Sequence, residues 1–94
     1  MRFKFDIRKS KKLKQDKRRG IDFEEVQEIW SHHHYVDYRS DDPEQYRTIG
    51  WVRGTLYSVI YEIRRDDEGE YYHLVTLWKS TRQEIELYEN HDQK

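Results

Sequence analysis

Along the chain the spacing of apolar positions changes period once, near Tyr35, from helical to strand-like. From Phe5 to Gly20, "FDIRKSKKLKQDKRRG", apolar residues are sparse. The stretch predicts a surface helix that Asp6 could cap and Gly20 could end, with a thin apolar stripe of Ile7 and Leu13. "DFEEVQEIW" predicts a second helix over 22–30, because Phe23, Val26, Ile29 and Trp30 fall on one face. Asp22 and Glu25 have the spacing of a capping box.

From Tyr35 onward the period is two. Strands are predicted over 35–40, 45–52, 55–63 and 70–78, joined by "DDPE", "RG" and "RRDDEG" as turns. The first reads as an edge strand. The last two carry apolar residues on both faces, which places them inside the sheet. "STRQEIELYEN" closes the chain as a helix, with Thr81 and Glu84 as another capping-box pair and Ile85 and Tyr88 facing inward. This order predicts one α+β domain over residues 1–94: two N-terminal helices, a four-stranded antiparallel sheet and a C-terminal helix.

Charge sharpens the picture. Residues 1–20 carry ten Lys/Arg against Asp6 and Asp16, a net of +8, while residues 21–94 carry a net of −9, with the change at Gly20. A solvated surface needs no such sorting. The split suggests a polyanion on one side or a charged protein partner on either. With 94 residues burial is marginal, and the eight Tyr, three Trp and three Phe supply core volume that aliphatic residues would otherwise fill. Without cysteine there is no disulfide framework or thiol chemistry, which permits a reducing compartment. No apolar run reaches membrane-spanning length, and the basic N-terminus lacks the pattern of a signal peptide, so a cytoplasmic location is expected.

"SHHHYVD" is the obvious metal candidate, yet consecutive histidines point to alternate sides of a strand and splay by about 100° on a helix. At best His32 and His34 share a side, with Asp37 or His73 as a distant third ligand, and no HxxxH or HExxH spacing is present. A polar loop is the better reading, and neither a metal nor another cofactor is expected. The basic run Lys9–Arg19 would ordinarily be a solvated helix face. Its end is sharper chemistry, since Lys17, Arg18 and Arg19 beside a glycine could converge on a phosphate. Arg82 sits in the first turn of the last helix, where an acid is favoured, and Glu84 has the ordinary role of a cap. No P-loop, GxSxG or dinucleotide fingerprint occurs.

Four stretches in register carry a resemblance: "FD" at Phe5 and Asp6, "RRGIDFEE", "IG" at Ile49 and Gly50, and "KSTRQEIELY". Together they resemble the BrnT family of type II toxins over nearly the whole chain. The family consists of small ribonucleases with a RelE-like fold, neutralised by a co-encoded antitoxin. The chain departs from the family pattern at three polar positions. Arg19 stands where the family has His before the glycine, Gln45 where it has Arg, with Arg47 two residues on, and Trp78 where it has Arg. The resemblance implies a metal-independent nuclease that inhibits translation, cutting RNA by attack of its own 2′-hydroxyl. Such cleavage needs a base, cations on the phosphorane and an acid for the leaving oxygen. Arg19, Arg47, Lys79 and Arg82 could supply the cations, Arg18 or Lys17 could hold flanking phosphates, and Glu84 or a tyrosine could act as base. It further implies a ribbon-helix-helix antitoxin, with operator DNA contacted only through that partner and no membrane. The alternative is a catalytically degenerate relative that binds RNA or the antitoxin without cutting.

Overall fold

In the computed structural model, which describes residues 1–92, the chain begins with a strand. β1 (Arg2–Lys4) leads into helix α1 (Ile7–Gln15), and a 3-10 helix (Glu25–Ser31) follows. Strands β2 (Tyr35–Asp41), β3 (Glu44–Val52), β4 (Thr55–Asp66) and β5 (Gly69–Lys79) come next, then helix α2 (Arg82–Asp92). The sheet order is β1-β5-β4-β3-β2, with β1 parallel to β5 and every other pair antiparallel.

The expected fold is therefore corrected. The sheet is five-stranded and mixed, and only one α-helix precedes β2. Three residues of alternating charge and aromatic character give too short a pattern to read as a strand. Long-range contacts make β1. Phe3 packs its ring 5.0 Å from that of Trp30 and 5.8 Å from that of Tyr72. On the opposite side Arg2 and Lys4 both reach Asp66, at 2.8 and 2.7 Å.

The α1 helix has the cap that its sequence suggested, with the Asp6 carboxylate accepting from the Arg8 and Lys9 amides. It stops at Gln15, before Gly20. The Asp16 amide closes onto Lys12 and Leu13, and the chain turns through Gly20 at φ +72°. Leu13 is buried, whereas Ile7 is 66% exposed and contributes nothing to the core. Its inward neighbour is Ser10, whose hydroxyl accepts the Phe23 amide at 2.9 Å.

The second predicted helix is the 3-10 segment. Its capping box forms, with Asp22 accepting the Glu25 amide and Glu25 the Asp22 amide, at 2.8 and 3.2 Å. Its seven residues, Glu25–Ser31, wind as 3-10 turns instead of α turns. Phe23, Val26 and Ile29 are fully buried there against Val52, Val59, Leu74 and Leu77, the main core. The 3-10 helix presses so closely that a Cβ on Gly50 would lie 2.8 Å from the Ile29 Cγ2. On the opposite sheet face, among the described residues, α2 lays Tyr88 and Ile85 on Ile49 and Leu56 at one end. Among the described residues no helix is long and apolar enough to cross a membrane.

Candidate anion-binding cleft and its buried ion network

Behind α1 the turn Asp16–Gly20 docks on the β5 edge. Asp16 organises it: its carboxylate accepts the Arg18 amide at 2.8 Å and the Arg19 guanidinium at 2.6 Å. The Arg18 amide first, and then Arg19, hold this carboxyl below its ordinary value against the opposing effect of desolvation. Arg19 also donates its Nε–H to the Leu77 carbonyl at 2.7 Å, and its own carbonyl accepts the Tyr57 hydroxyl at 2.9 Å. β1 pairs only with Tyr71–His73, so Leu77 lies past its reach, and Arg19 provides the donor there. The result is a cleft of about 240 Å³ lined by Arg18, Arg19, Trp78 and Lys79.

A second cluster lies on the sheet face that α2 partly covers. Asp37 and Arg47 are cross-strand partners, and the guanidinium grips both carboxylate oxygens, with Nε to Oδ1 at 3.0 Å and a short contact to Oδ2. Tyr35 donates its hydroxyl to the same carboxylate at 3.1 Å. The remaining Arg47 nitrogen reaches Glu84 at 3.3 Å. Glu84 is 4% exposed. Its Oε1 accepts the Thr81 amide and the Trp78 indole N–H, both at 2.8 Å. Its backbone N–H donates to the Thr81 hydroxyl at 3.2 Å. Burial pushes this carboxyl up, but donation from the Thr81 amide, Trp78, Ser58 and the Thr81 hydroxyl outweighs burial and leaves it below the ordinary value. Arg47 is pushed up, chiefly by its bond to Asp37. It is a half-buried cation already matched by two carboxylates.

Trp78 joins the two clusters. Its indole edge is tied to Glu84, its ring lines the cleft, and the Arg39 guanidinium lies 5.6 Å from its centroid. Arg39 reaches that position because the β2–β3 register shifts between Tyr38 and Ser40, leaving Arg39 out of the pairing.

The residues singled out in the sequence thus separate into groups. Arg18, Arg19 and Lys79 share the cleft, whereas Arg47 and Glu84 share the buried network. Lys17 is exposed on the turn, and Arg82 is 95% exposed at the start of α2, 4.0 Å from Glu86. Sequence reasoning did not assign Trp78, Asp37 or Arg39 to the site. The Trp at a position where Arg was expected was a visible signal, while the Asp37–Arg47 pairing needs the strand register. Among the histidines, His34 Nδ1 lies 2.7 Å from the His32 carbonyl, and the His33 ring stacks on that of His91. Among the described residues no group of three His, Cys, Asp or Glu is arranged to hold a metal.

The charge sorting at Gly20 also acquires a geometry. Lys14 crosses it to pair with Glu25 at 2.8 Å, and Arg53 reaches the same carboxylate at 2.6 Å. The Lys14 bond first, against desolvation, and then the Asp22 amide and Arg53 bring Glu25 down to about 2. Arg8, Lys9, Lys11, Lys12 and Lys17 are exposed and form no ion pair among the described residues. Their field is therefore open to a partner. No family model matches this chain, and no curated protein matches it.

Proposed function

We propose that the chain is the RNA-binding toxin of a type II toxin–antitoxin pair, as its BrnT resemblance implies, and that it works by holding RNA rather than by cutting it. The supporting observation is the meeting of Arg18 and Lys79 at one cleft, whose wall Arg19 builds by reaching from Asp16 to the Leu77 carbonyl, 58 residues away in sequence. Guanidinium and ammonium groups gathered in this way suit phosphate oxygens, and the open cations of α1 extend the positive field beyond the cleft. A co-encoded ribbon-helix-helix antitoxin would meet the same surface with carboxylates, and operator DNA would be reached only through that partner.

Glu84 suits the work of a general base poorly. A base needs a free lone pair within reach of the 2′-hydroxyl. This carboxylate is buried and ionised at neutral pH, and it is engaged by Arg47, Trp78 and Thr81. Arg47 is likewise occupied, and Arg19 is engaged by Asp16 and the Leu77 carbonyl, so the cations left for RNA are Arg18 and Lys79 of the cleft, with Lys17 exposed on the same turn and Arg82 exposed at the start of α2.

The test is RNA binding followed by anisotropy across a salt series, with the integrity of the RNA checked on a gel. Lys79→Ala and Arg18→Ala should each weaken binding and lower the log–log salt slope by about 0.7, with the RNA intact throughout. Fragmentation by pure protein, abolished by Glu84→Gln in a folded domain, would replace this reading with the nuclease one. Absence of binding at low salt would end both.

A further inference from the structure

Cations alone hold any nucleic acid, but the cleft also contains an oriented indole. Trp78 is partly exposed at the C-terminal end of β5, next to Lys79. Successive side chains of a strand point to opposite faces. Trp78 pairs across from Ser58 on the α2 side of the sheet, and Lys79 pairs across from Tyr57 on the α1 side. The cleft therefore straddles the β5 edge, with an aromatic ring toward one face and cationic groups toward the other.

We propose that Trp78 is a stacking platform for an unpaired nucleobase, so that the ligand of the cleft is single-stranded RNA. This rests on the RNA-binding reading above and narrows it. Three observations support the assignment. The ring is fixed in advance, because its N–H is held at 2.8 Å by a carboxylate that is itself buried and pinned by the Thr81 amide. Stacking on it therefore immobilises little that was free. The Arg39 guanidinium lies over the same ring, 5.6 Å from its centroid, so a planar cation already stacks on the indole in the way a base would on its other face. Finally, Arg18 and Lys79 line the same cleft, where the phosphates flanking a stacked base would fall. A duplex offers its phosphates but keeps its bases stacked on one another, so only an unpaired strand uses both halves of the site.

The experiment compares a short single-stranded RNA with the same sequence annealed to its complement, measuring anisotropy and intrinsic tryptophan fluorescence at fixed salt. The single strand should bind about tenfold more tightly and should quench fluorescence, with that quench lost in Trp78→Phe. Trp78→Phe keeps a ring but loses the N–H that fixes it and should bind about threefold more weakly, whereas Trp78→Leu should lose about tenfold. Equal affinity for single strand and duplex, or a quench that survives in Trp78→Phe, overturns the proposal. So does an equal loss in the Phe and Leu variants, which would assign the indole only its hydrogen bond to Glu84. If Trp78→Leu fails to fold, the Phe variant and the quench still decide. Loss of affinity for both RNAs in Lys79→Ala keeps the RNA-binding reading standing even where stacking fails. Poly-glutamate that displaces the RNA with matching affinity and no quench would mark the cleft as a protein-docking surface and overturn stacking.

Discussion

Removing the Glu84 carboxylate tests whether that residue is architecture or chemistry. Glu84→Ala deletes the acceptor for the Trp78 indole and the Thr81 amide, and one of the two carboxylates matched to Arg47. Breaking a buried ion pair outright costs about 3–5 kcal/mol, but Arg47 keeps Asp37, so the ionic part falls at or below the lower end. The orphaned indole donor adds about 1–3 kcal/mol and the lost helix cap about 1 kcal/mol. Because these contributions share one side chain they are not additive, and a total of about 3–5 kcal/mol is expected. Glu84→Gln retains an acceptor for Trp78 and Thr81 and turns an amide donor toward Arg47, for a smaller loss of about 1–2 kcal/mol. Urea unfolding followed by circular dichroism at pH 7 measures both.

The pH dependence follows from the direction of the shift. The carboxyl lies below its ordinary value when folded, so its share of stability is fully present above the unfolded value near about 4.3. It is lost as pH falls through the folded value. The Gln variant should therefore close its gap to the unmodified protein as pH drops below about 4. A loss under about 1 kcal/mol for Glu84→Ala, or a gap for Glu84→Gln that is constant with pH, refutes the reasoning.

Two further outcomes are expected. Gly50→Ala places a methyl group 2.8 Å from Ile29 Cγ2 and 3.3 Å from His34 Cβ, which should cost about 1–3 kcal/mol by overpacking; an unchanged urea midpoint would show that the 3-10 helix sits less tightly on β3. Asp66→Asn should loosen β1, because Arg2 first and then Lys4 hold that carboxyl well below its usual range. Hydrogen-exchange protection of the β1 amides, taken relative to the intrinsic rate at each pH, should fall in the variant, and in the unmodified protein should fall as pH drops below the ordinary carboxyl value of about 3.9; identical protection in the two proteins would refute this.

What could be read along the chain was whatever rests on neighbours. The three strands over Glu44–Lys79 follow their alternation, and the connection at Arg53–Gly54 takes positive φ at both residues. Both capping boxes are closed by side chains three residues apart, and Phe23 and Val26 lie at the centre of the core. Each depends on spacing that the sequence carries within a few positions. Tertiary structure decided the rest. β1 exists because Arg2 and Lys4 find Asp66 more than 60 residues away, and because Phe3 finds Tyr72 and Trp30. Arg47 looked like an open cation until the strand register set Asp37 beside it and α2 brought Glu84. Trp78 looked like the loss of an arginine until the β5 edge placed its ring between Arg39 and the cationic turn. A side chain's type is written in the sequence, but whether its charge is spent on a neighbour or left for a ligand depends on distances that only the folded sheet sets.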